Sequence, residues 1–488
     1  MYLNKLKYIC LMAINIFCFT SIMQAQEIND AIRYNNPTGY FSPRSAALGL
    51  SFSGIINDNS ALIFNPAGLS LINKTEIGLG IGLHRNSTEA TYLGQTSSLN
   101  SNSQFLSNLS FVSPFHTGIG IASVGIGYFL EQDFNNNYKI SAFNNNSSYI
   151  GYRAQNDPDT LDLTNFLWLS KRINGKATTP LTKNLQQDAL VQESGGLHDI
   201  IGSVGLELSK NFGIGVSLIS RWGNYKYSKI YTESDTKHNF ETFDTNYSNV
   251  DLNVFTMNEN MDETVTGLSG AVGFVANFLN QSMRLSVNVN FPTVFNFSTE
   301  TDKDYHATFD DKTVHPPIAY DTTISNYTIT TPFIFSFGLS ANLGKIVPSI
   351  GNLVVTSGFK YSDANELKYN DAAADILARN QWILLNLTGQ MVYSFGIEYD
   401  LPKDIVPIVI RGSYTHTDTP YSNSKYSTAT TTLAGGIGIY LAPNIRLDAY
   451  GRSYSTNQLF INYGDINTSS FQLKNSPIDL GLSLVFRF

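Results

Sequence analysis

The chain has 488 residues and a formal net charge of −8, and only 14% of its residues are charged, against about 25% in a typical soluble domain. Aromatic residues make up 12%, and glycine occurs 37 times. This composition excludes a coiled coil and a charged disordered protein, and the scarcity of basic clusters argues against a nucleic-acid partner.

The N-terminal segment has the pattern of a secretory signal peptide. Lys5 and Lys7 precede a short apolar run over 9–22, and Ala25 supplies a small residue for cleavage. A membrane anchor is the alternative, but the run is short for a helical span and no stop-transfer charges follow it. We therefore predict a signal peptide over residues 1–25.

The sequence offers little for catalysis or metal binding. Cys10 and Cys18 are the only cysteines, and both lie in the predicted signal peptide, so we expect no disulfide and no thiol chemistry in the exported protein. The histidines stand at no metal-ligand spacing, and His416 and Asp418 have no partner for a hydrolase constellation. We expect no enzyme activity, no metal and no cofactor.

From residue 75 onward, apolar residues alternate with polar or small ones. The C-terminus shows this most clearly, since Ile478, Leu480, Leu482 and Leu484 are separated by polar or small residues. A soluble sandwich strand buries such an apolar face, whereas a membrane-barrel strand turns it to lipid. The segments reach about ten residues, which a tilted strand needs to cross a bilayer.

Fourteen such segments follow one another along the chain. They cover 75–84, 105–113, 119–130, 200–209, 212–227, 264–278, 282–298, 330–343, 351–362, 389–401, 406–417, 428–441, 444–455 and 477–488. Connections after odd-numbered segments are long, for example 131–199, and those after even-numbered segments are short. This is typical of a transmembrane barrel. We predict a fourteen-stranded antiparallel β-barrel over 75–488 in the cell outer membrane, with both termini periplasmic.

The residues between the signal peptide and the first strand do not alternate. Short helical turns are predicted over Ser45–Leu50 and Ser60–Phe64, followed by a turn that begins with Asn65-Pro66. A barrel of this size is too wide for wall side chains alone to fill. We therefore predict that residues 26–74 fold into the lumen as a hatch.

One motif in this segment resembles a known family. Residues 42–72 are similar to the N-terminal hatch of the FadL/TodX transporters of long-chain fatty acids and other hydrophobic compounds. The specific part of the match lies directly before the first strand and consists of Asn65, Pro66, Ala67, Gly68 and Leu69.

The resemblance implies a fold and a function. The implied fold is a fourteen-stranded barrel with a hatch. The implied function is passive uptake of hydrophobic small molecules, such as long-chain fatty acids or hydrocarbons, from an external groove through a lumen pocket to a lateral gap beside a kinked third strand. Gly120, Gly125 and Gly127 permit a bulge in the third segment, which has no proline. The partners would be outer-membrane lipid and, through the terminal Phe488, the barrel-assembly machinery.

A second function stays open. Some relatives with the same hatch, such as PorV, serve as adaptors in protein secretion and bind a secretion-system protein instead of transporting lipid. The long loops of this chain suit either role.

Two predicted loop helices carry candidate ligand-groove residues. One would be capped by Asp162 and run to Asn174, and the other would be capped by Asp371 and run from Ala372 to Arg379, with Trp382 and Leu385 following it. Their apolar side chains either pack on one another or cover a ligand. The candidate groove residues are Phe166, Leu167, Trp168, Trp382 and Leu385.

Arginines on the lumen-facing side of the strands have two interpretations. Arg221, Arg284 and Arg411 would grip a carboxylate head group, because an arginine fork matches a carboxylate. Alternatively, they belong to an ion-pair lattice that anchors the hatch. The other members of that lattice would be Arg446, Arg487, Glu207, Glu398, Asp448 and Asp479.

Overall fold

The computed structural model describes residues 31–35, 39, 41–156, 163–240, 251–310, 321–402, 407–464 and 466–488. The predicted signal peptide lies outside the described residues, as does the first part of the predicted hatch. No described helix is long and apolar enough to cross a membrane.

Fourteen antiparallel strands form the wall of a barrel, some of them interrupted into two parts. They are β1 (Glu76–Tyr92), β2 (Gln95–His116), β3a (Ile121–Asp133), β3b (Asn136–Asn144), β4 (Leu185–Ser209), β5 (Phe212–Ser234), β6 (Leu252–Phe278), β7a (Met283–Asn290), β7b (Val294–Phe309), β8a (Asp321–Thr330), β8b (Ile334–Asn342), β9a (Asn352–Asp363), β9b (Lys368–Asn370), β10 (Gly389–Asp400), β11 (Ile408–Thr417), β12 (Thr430–Ala442), β13 (Ile445–Ile461), β14a (Ser470–Asn475) and β14b (Ile478–Arg487). Each predicted segment falls on its own wall strand.

The last strand closes the barrel on the first. β14b pairs with β1 from Arg487 opposite Glu76 to Ile478 opposite Arg85, and β14a continues the ladder. Closure removes the edge whose unpaired backbone groups would be costly in lipid. The predicted fourteen-stranded antiparallel barrel is therefore confirmed.

A band of exposed apolar side chains surrounds the barrel. On β5, Val216 is 54% exposed and Leu218 is 62% exposed, whereas Ser217 between them is buried. A continuous apolar band of this kind is not stable in water and marks a lipid-facing surface. On β5 the band extends from Phe212 to Trp222.

Several strands continue well beyond this band. β4, β5 and β6 have 25, 23 and 27 residues, and the predicted loop 85–104 is two strands joined at Leu93-Gly94. Beyond the band, the apolar side chains occupy the lumen-facing positions and the polar ones face outward. Tyr225 and Tyr227 are buried, and Lys226 between them is exposed. Strands therefore occupy part of the predicted long loops, because these apolar side chains face the lumen instead of lipid.

The two ends of the barrel differ. One end, called here the short-turn end, joins strands by connections of nine residues or fewer. The other, the long-loop end, carries helices α3 (Tyr149–Asn156), α4 (Leu163–Phe166) and α6 (Ala374–Asn386).

The loop helices differ from the predicted ones. α4 ends at Phe166, and a short hairpin follows because Asn174 and Gly175 both have positive φ and turn the chain. Asp162 lies outside the described residues. α6 extends past the predicted end at Arg379 and includes Trp382, and its N-cap is Ala373 and not the predicted Asp371, which has a positive φ.

Inside the barrel lies the segment 41–72, called here the lumen segment. It forms helix α1 (Pro43–Leu48), a 3-10 helix (Gly49–Gly54), helix α2 (Ala61–Phe64) and a second 3-10 helix (Pro66–Leu71). Most of its residues are buried. Helix α5 (Leu343–Ile346) lies at the short-turn end and helix α7 (Ile466–Ser469) at the long-loop end.

Candidate functional site

Backbone carbonyls of the lumen segment are held by hydroxyl groups of the wall. Ser340 Oγ donates to Gly54 O at 2.7 Å, and Ser413 Oγ donates to Ala47 O at 2.9 Å. At Gly338 the backbone of the segment comes so close that an added Cβ would lie 2.2 Å from an atom of Ser53. Small and hydroxyl residues on the inner wall therefore let the segment pack directly against the strands.

The predicted hatch motif begins at the turn between helix α2 and the second 3-10 helix of the lumen segment. Asn65 Oδ1 accepts from Ala67 N at 2.9 Å and caps the second 3-10 helix. Its Nδ2 donates to Phe274 O at 3.1 Å on β6 and to Val287 O at 3.0 Å on β7a. Pro66, Ala67, Gly68 and Leu69 are buried in the 3-10 helix that follows.

A lattice of buried ion pairs joins the lumen segment, through Arg44 and Asp58, to the wall toward the short-turn end. Three arginines alternate with three carboxylates, and each of these charges has an opposite charge within hydrogen-bond distance, as buried charges require. The pairs are Arg44–Glu398 at 2.7 Å, Arg44–Asp58 at 2.9 Å, Arg411–Glu398 at 2.7 Å, Arg411–Asp448 at 2.6 Å and Arg446–Asp448 at 2.7 Å.

The three predicted lumen arginines occupy different places. Arg411 belongs to this charge lattice, and Arg284 donates to Asn277 Oδ1 at 2.9 Å beside a polar pocket of about 250 Å³ at the short-turn end. Arg221 pairs with Asp199 at 3.2 Å and lines a larger cavity above the lumen segment. The three therefore do not form one carboxylate clamp.

The larger cavity has a volume of about 570 Å³ and lies between the lumen segment and the long-loop end. Phe41, Ile63 and Phe64 of the lumen segment line one side, together with Ile201 and Ile219 of the wall. The opposite side is formed by β10 to β13 and is rich in hydroxyl groups. It includes Gln390, Ser413, Thr415, Thr417, Thr430 and Thr432.

A buried cluster of apolar and aromatic residues closes the long-loop end, and it is called here the cap. Glu233 lies within it and accepts from Ile150 N at 3.0 Å, Gln187 Nε2 at 2.7 Å and Tyr231 Oη at 2.8 Å. It thereby caps α3 at the N-terminus, where a carboxylate is favoured. Burial raises the pKa of Glu233, which lies beyond the lipid-facing band.

The five predicted groove residues are separated in this region. Leu167 is fully buried in the cap, whereas Phe166 and Leu385 are 52% and 71% exposed. Trp168 is half-buried with its ring 6.5 Å from Phe309, and Trp382 packs 6.4 Å from Tyr421. Among the residues that the structure describes, none of these five lines the cavity.

The third wall strand is kinked. It has a register shift between Leu130 and Gln132, and it is interrupted between β3a and β3b. Glu131 O accepts from Gly39 N at 2.9 Å, so the backbone pairs here with the N-terminal segment. The kink turns β3b inward, where Asn136 Oδ1 accepts from Thr88 Oγ1 of β1 at 2.7 Å.

This kink leaves a seam in the wall between β2 and the third strand. Their ladder extends from His116 opposite Ile121 only to Asn108 opposite Phe129. Above that point β2 pairs with β1 alone among the described residues. Side chains bridge the seam: Ser101 Oγ donates to Asn135 O at 3.3 Å, and Ser103 donates to Asp133.

Sequence spacing did not indicate a cluster at the long-loop end. His238, Asp251 and Asp310 come from three strand ends, and His238 Nδ1 lies 3.6 Å from Asp310 Oδ2. Burial and the carboxylates of Asp310 and Asp235 raise the pKa of Asp251 to about 6. Only the pairing of β5 with β6 and of β6 with β7b brings these side chains together.

Comparison with known proteins identifies the fold. No protein-family model and no curated protein matches the sequence. A Pseudomonas aeruginosa FadL homologue matches with a TM-score of 0.56 and 11% identity, over 93% of this chain and 98% of that one. The Pseudomonas putida toluene transporter TodX matches with a TM-score of 0.53 and 12% identity, over 93% of this chain and 99% of that one. The CymD monoaromatic hydrocarbon channel matches with a TM-score of 0.51 and 14% identity, over 93% of this chain and 99% of that one. The chain therefore has the fold of the FadL/TodX barrels, which are channels and transporters.

Proposed function

We propose that this protein resides in the outer membrane and takes up hydrophobic or amphipathic molecules of about the size of long-chain fatty acids by passive diffusion. Structures with the same fold are described as a hydrocarbon channel and a toluene transporter. Short turns of such barrels face the periplasm and long loops face the outside. In this orientation the cavity lies below an external cap and the C-terminal Phe488 is periplasmic, whereas Ala31 and Tyr34 of the N-terminal segment pack in the cap.

The observation that carries the proposal is the seam between β2 and the kinked third strand. The apolar side of the cavity includes Ile201 and Ile219, and these residues belong to one buried cluster with Phe129, where the seam begins. An apolar ligand in the cavity therefore has an apolar path toward the wall. The lumen segment lies below the cavity, so we propose that residues 26–74 act as a hatch and that the ligand leaves sideways into lipid.

Locking the seam tests this route. The exported protein has no cysteine of its own if the signal peptide is removed, so Ser103→Cys with Asp133→Cys provides one designed cross-link across the seam. We expect oxidation to abolish uptake of a radiolabelled hydrophobic compound and reduction to restore it. The control pair Arg85→Cys and Asn102→Cys joins residues that already face one another in the β1–β2 ladder. Unchanged uptake in the oxidised seam variant would contradict lateral release.

Lipid analysis of the purified protein separates transport from the adaptor alternative. Mild detergent extraction followed by mass spectrometry should recover a hydrophobic molecule from the intact barrel. A stable complex with secretion subunits, without a bound hydrophobic molecule, would instead contradict the transport proposal.

A further inference from the structure

The two sides of the cavity differ in chemistry. The apolar side consists of Phe41, Ile63, Phe64, Ile201 and Ile219, and four of these five pack in or against one buried cluster. The opposite side presents hydroxyl groups from three consecutive strands, β11, β12 and β13. Such a cavity matches a molecule with an apolar body and a hydrogen-bonding head group better than a plain hydrocarbon.

The charges in the lining are unfavourable for a carboxylate ligand. Among the described residues, the lining carries four arginine and lysine side chains, five carboxylates and one histidine, His84, which contacts Asp479. The arginines and lysine are Arg33, Arg221, Lys360 and Arg452, and the carboxylates are Glu131, Asp133, Glu193, Asp199 and Asp418.

Each of the four basic side chains already has an interaction in the protein. Arg221 pairs with Asp199 at 3.2 Å, and Arg452 pairs with Asp479 at 2.6 Å. The Arg33 guanidinium lies 3.6 Å above the Tyr225 ring, and Lys360 interacts electrostatically with Glu131. A fatty-acid carboxylate would therefore add a negative charge to a lining whose cations are engaged, which is unfavourable in a site shielded from water.

Several buried polar side chains in the lining, among them Glu131, Asn35, Ser53 and Asn86, have hydrogen-bonding atoms without a protein partner among the described residues. Glu131 is 6% exposed and Asn35 is 3% exposed. Glu131 Oε2 and both polar side-chain atoms of Asn35 have no hydrogen-bond partner among the described residues. Buried polar groups are nearly always paired, so a ligand in this cavity is expected to provide an O–H donor to Glu131 and a donor or acceptor to Asn35.

We propose that the cavity selects amphiphiles with an uncharged, hydroxyl-bearing head group over free fatty acids and unsubstituted hydrocarbons. The head group binds Glu131 and Asn35, and the apolar body lies against Phe41 and Ile63. This inference rests on the proposed uptake function and narrows its substrate class.

Competition among three ligands of equal chain length tests this selection. The probes are monolauroylglycerol, laurate and dodecane, presented together to the intact detergent-solubilised protein at pH 8 and quantified by native mass spectrometry. Bound monolauroylglycerol should exceed laurate and dodecane by roughly tenfold each, because a ligand that leaves a buried polar group unpaired binds more weakly. Equal or tighter binding of laurate would overturn the proposal.

Variants of Glu131 test whether this residue is responsible for the head-group preference. Glu131→Leu should lower monolauroylglycerol binding roughly tenfold and leave dodecane binding unchanged, because only the head-group contact is lost. Glu131→Gln keeps two polar atoms and should retain the preference. Glu89→Leu is the matched control, since Glu89 lies on an exposed surface with Lys474. Heat-dependent gel migration verifies that each variant has a folded barrel.

Asn35→Ala provides a second test if Glu131→Leu fails to fold at the kink. It should also reduce the preference for monolauroylglycerol, and an unchanged preference in the folded variants would overturn the proposal. If none of the three probes binds to the intact protein, the proposed uptake function fails. If all three bind equally well, uptake stands and only the head-group selection is wrong.

Discussion

Arg44 of the lumen segment and Glu398 of β10, 354 positions apart in the chain, form a bidentate ion pair in which Nε and Nη2 each donate at 2.7 Å. Their side chains are 6% and 10% exposed. Removing one partner of a buried pair leaves an uncompensated charge and costs about 3–5 kcal/mol. This pair is therefore a strong link between the lumen segment and the wall.

Arg44→Leu should loosen the lumen segment without opening the wall. Glu398 would keep Arg411, and Asp58 would keep its 3.7 Å contact with Arg446. The free energy of local opening should therefore fall by about 1–3 kcal/mol, the cost of leaving buried polar groups without hydrogen bonds. Hydrogen exchange over residues 43–55, followed by mass spectrometry, measures this change. Lys474→Ala removes an exposed pair with Glu89 and should change stability by less than about 1 kcal/mol. Equal protection in the two variants would show that the Arg44 pair does not hold the segment.

Deletion of residues 30–64 should leave a folded barrel that conducts ions. The wall ladder closes through β1 and β14b without this segment, and the segment fills the lumen above the short-turn end. Planar-bilayer conductance should therefore rise well above that of the intact protein. A deletion variant that folds and conducts no more than the intact protein would show that other residues close the lumen.

Deletion of Phe488 should impair assembly. Its backbone N–H donates to Thr75 O at 3.0 Å at the point where the first and last wall strands meet, and its side chain is 66% exposed beside the lipid-facing band. We expect less protein in the outer membrane, measured by the fraction with folded-barrel gel migration. Phe488→Tyr keeps the aromatic ring and should assemble normally. Normal assembly of the deletion variant would contradict a terminal assembly signal.

Acidification should stabilise the strand ends around Asp251. Its pKa is raised to about 6 in the folded chain from an ordinary value of 3.8, so folding favours the protonated form and this stabilisation is lost as the pH rises through 6. Hydrogen exchange over 252–258, corrected for intrinsic rates, should be slower at pH 5 than at pH 7.

Two variants assign this pH dependence to its source. Asp251→Asn should be well protected at both pH values, because it removes the charge that Asp235 and Asp310 oppose. His238 faces Asp251 and Asp310, so His238→Gln measures how much this histidine contributes to the pH dependence of hydrogen exchange. A pH dependence that persists unchanged in Asp251→Asn would show that another group titrates.

The sequence by itself determined the number and order of the wall strands. Each strand contacts lipid directly, so every second side chain within that strand must be apolar and face outward. Leu480, Leu482 and Leu484 show this local pattern. The turn at Asn65-Pro66 was also predictable from the sequence, because an asparagine cap followed by proline is a local pattern that depends on no distant residue.

Only the tertiary structure decided what lies within the barrel. Tyr225 and Tyr227 invert the outward apolar pattern because they pack against other lumen residues, so the upper strands resembled loops. The N-terminal segment folds into the closed barrel, which brings Arg44 to Glu398 and places Asn35 and Glu131 in the lining of one cavity. Contact with lipid constrains the sequence of each strand separately. A cavity, in contrast, is lined by strands far apart in the chain, and the residues that share it are set by strand register, the kink and barrel closure together.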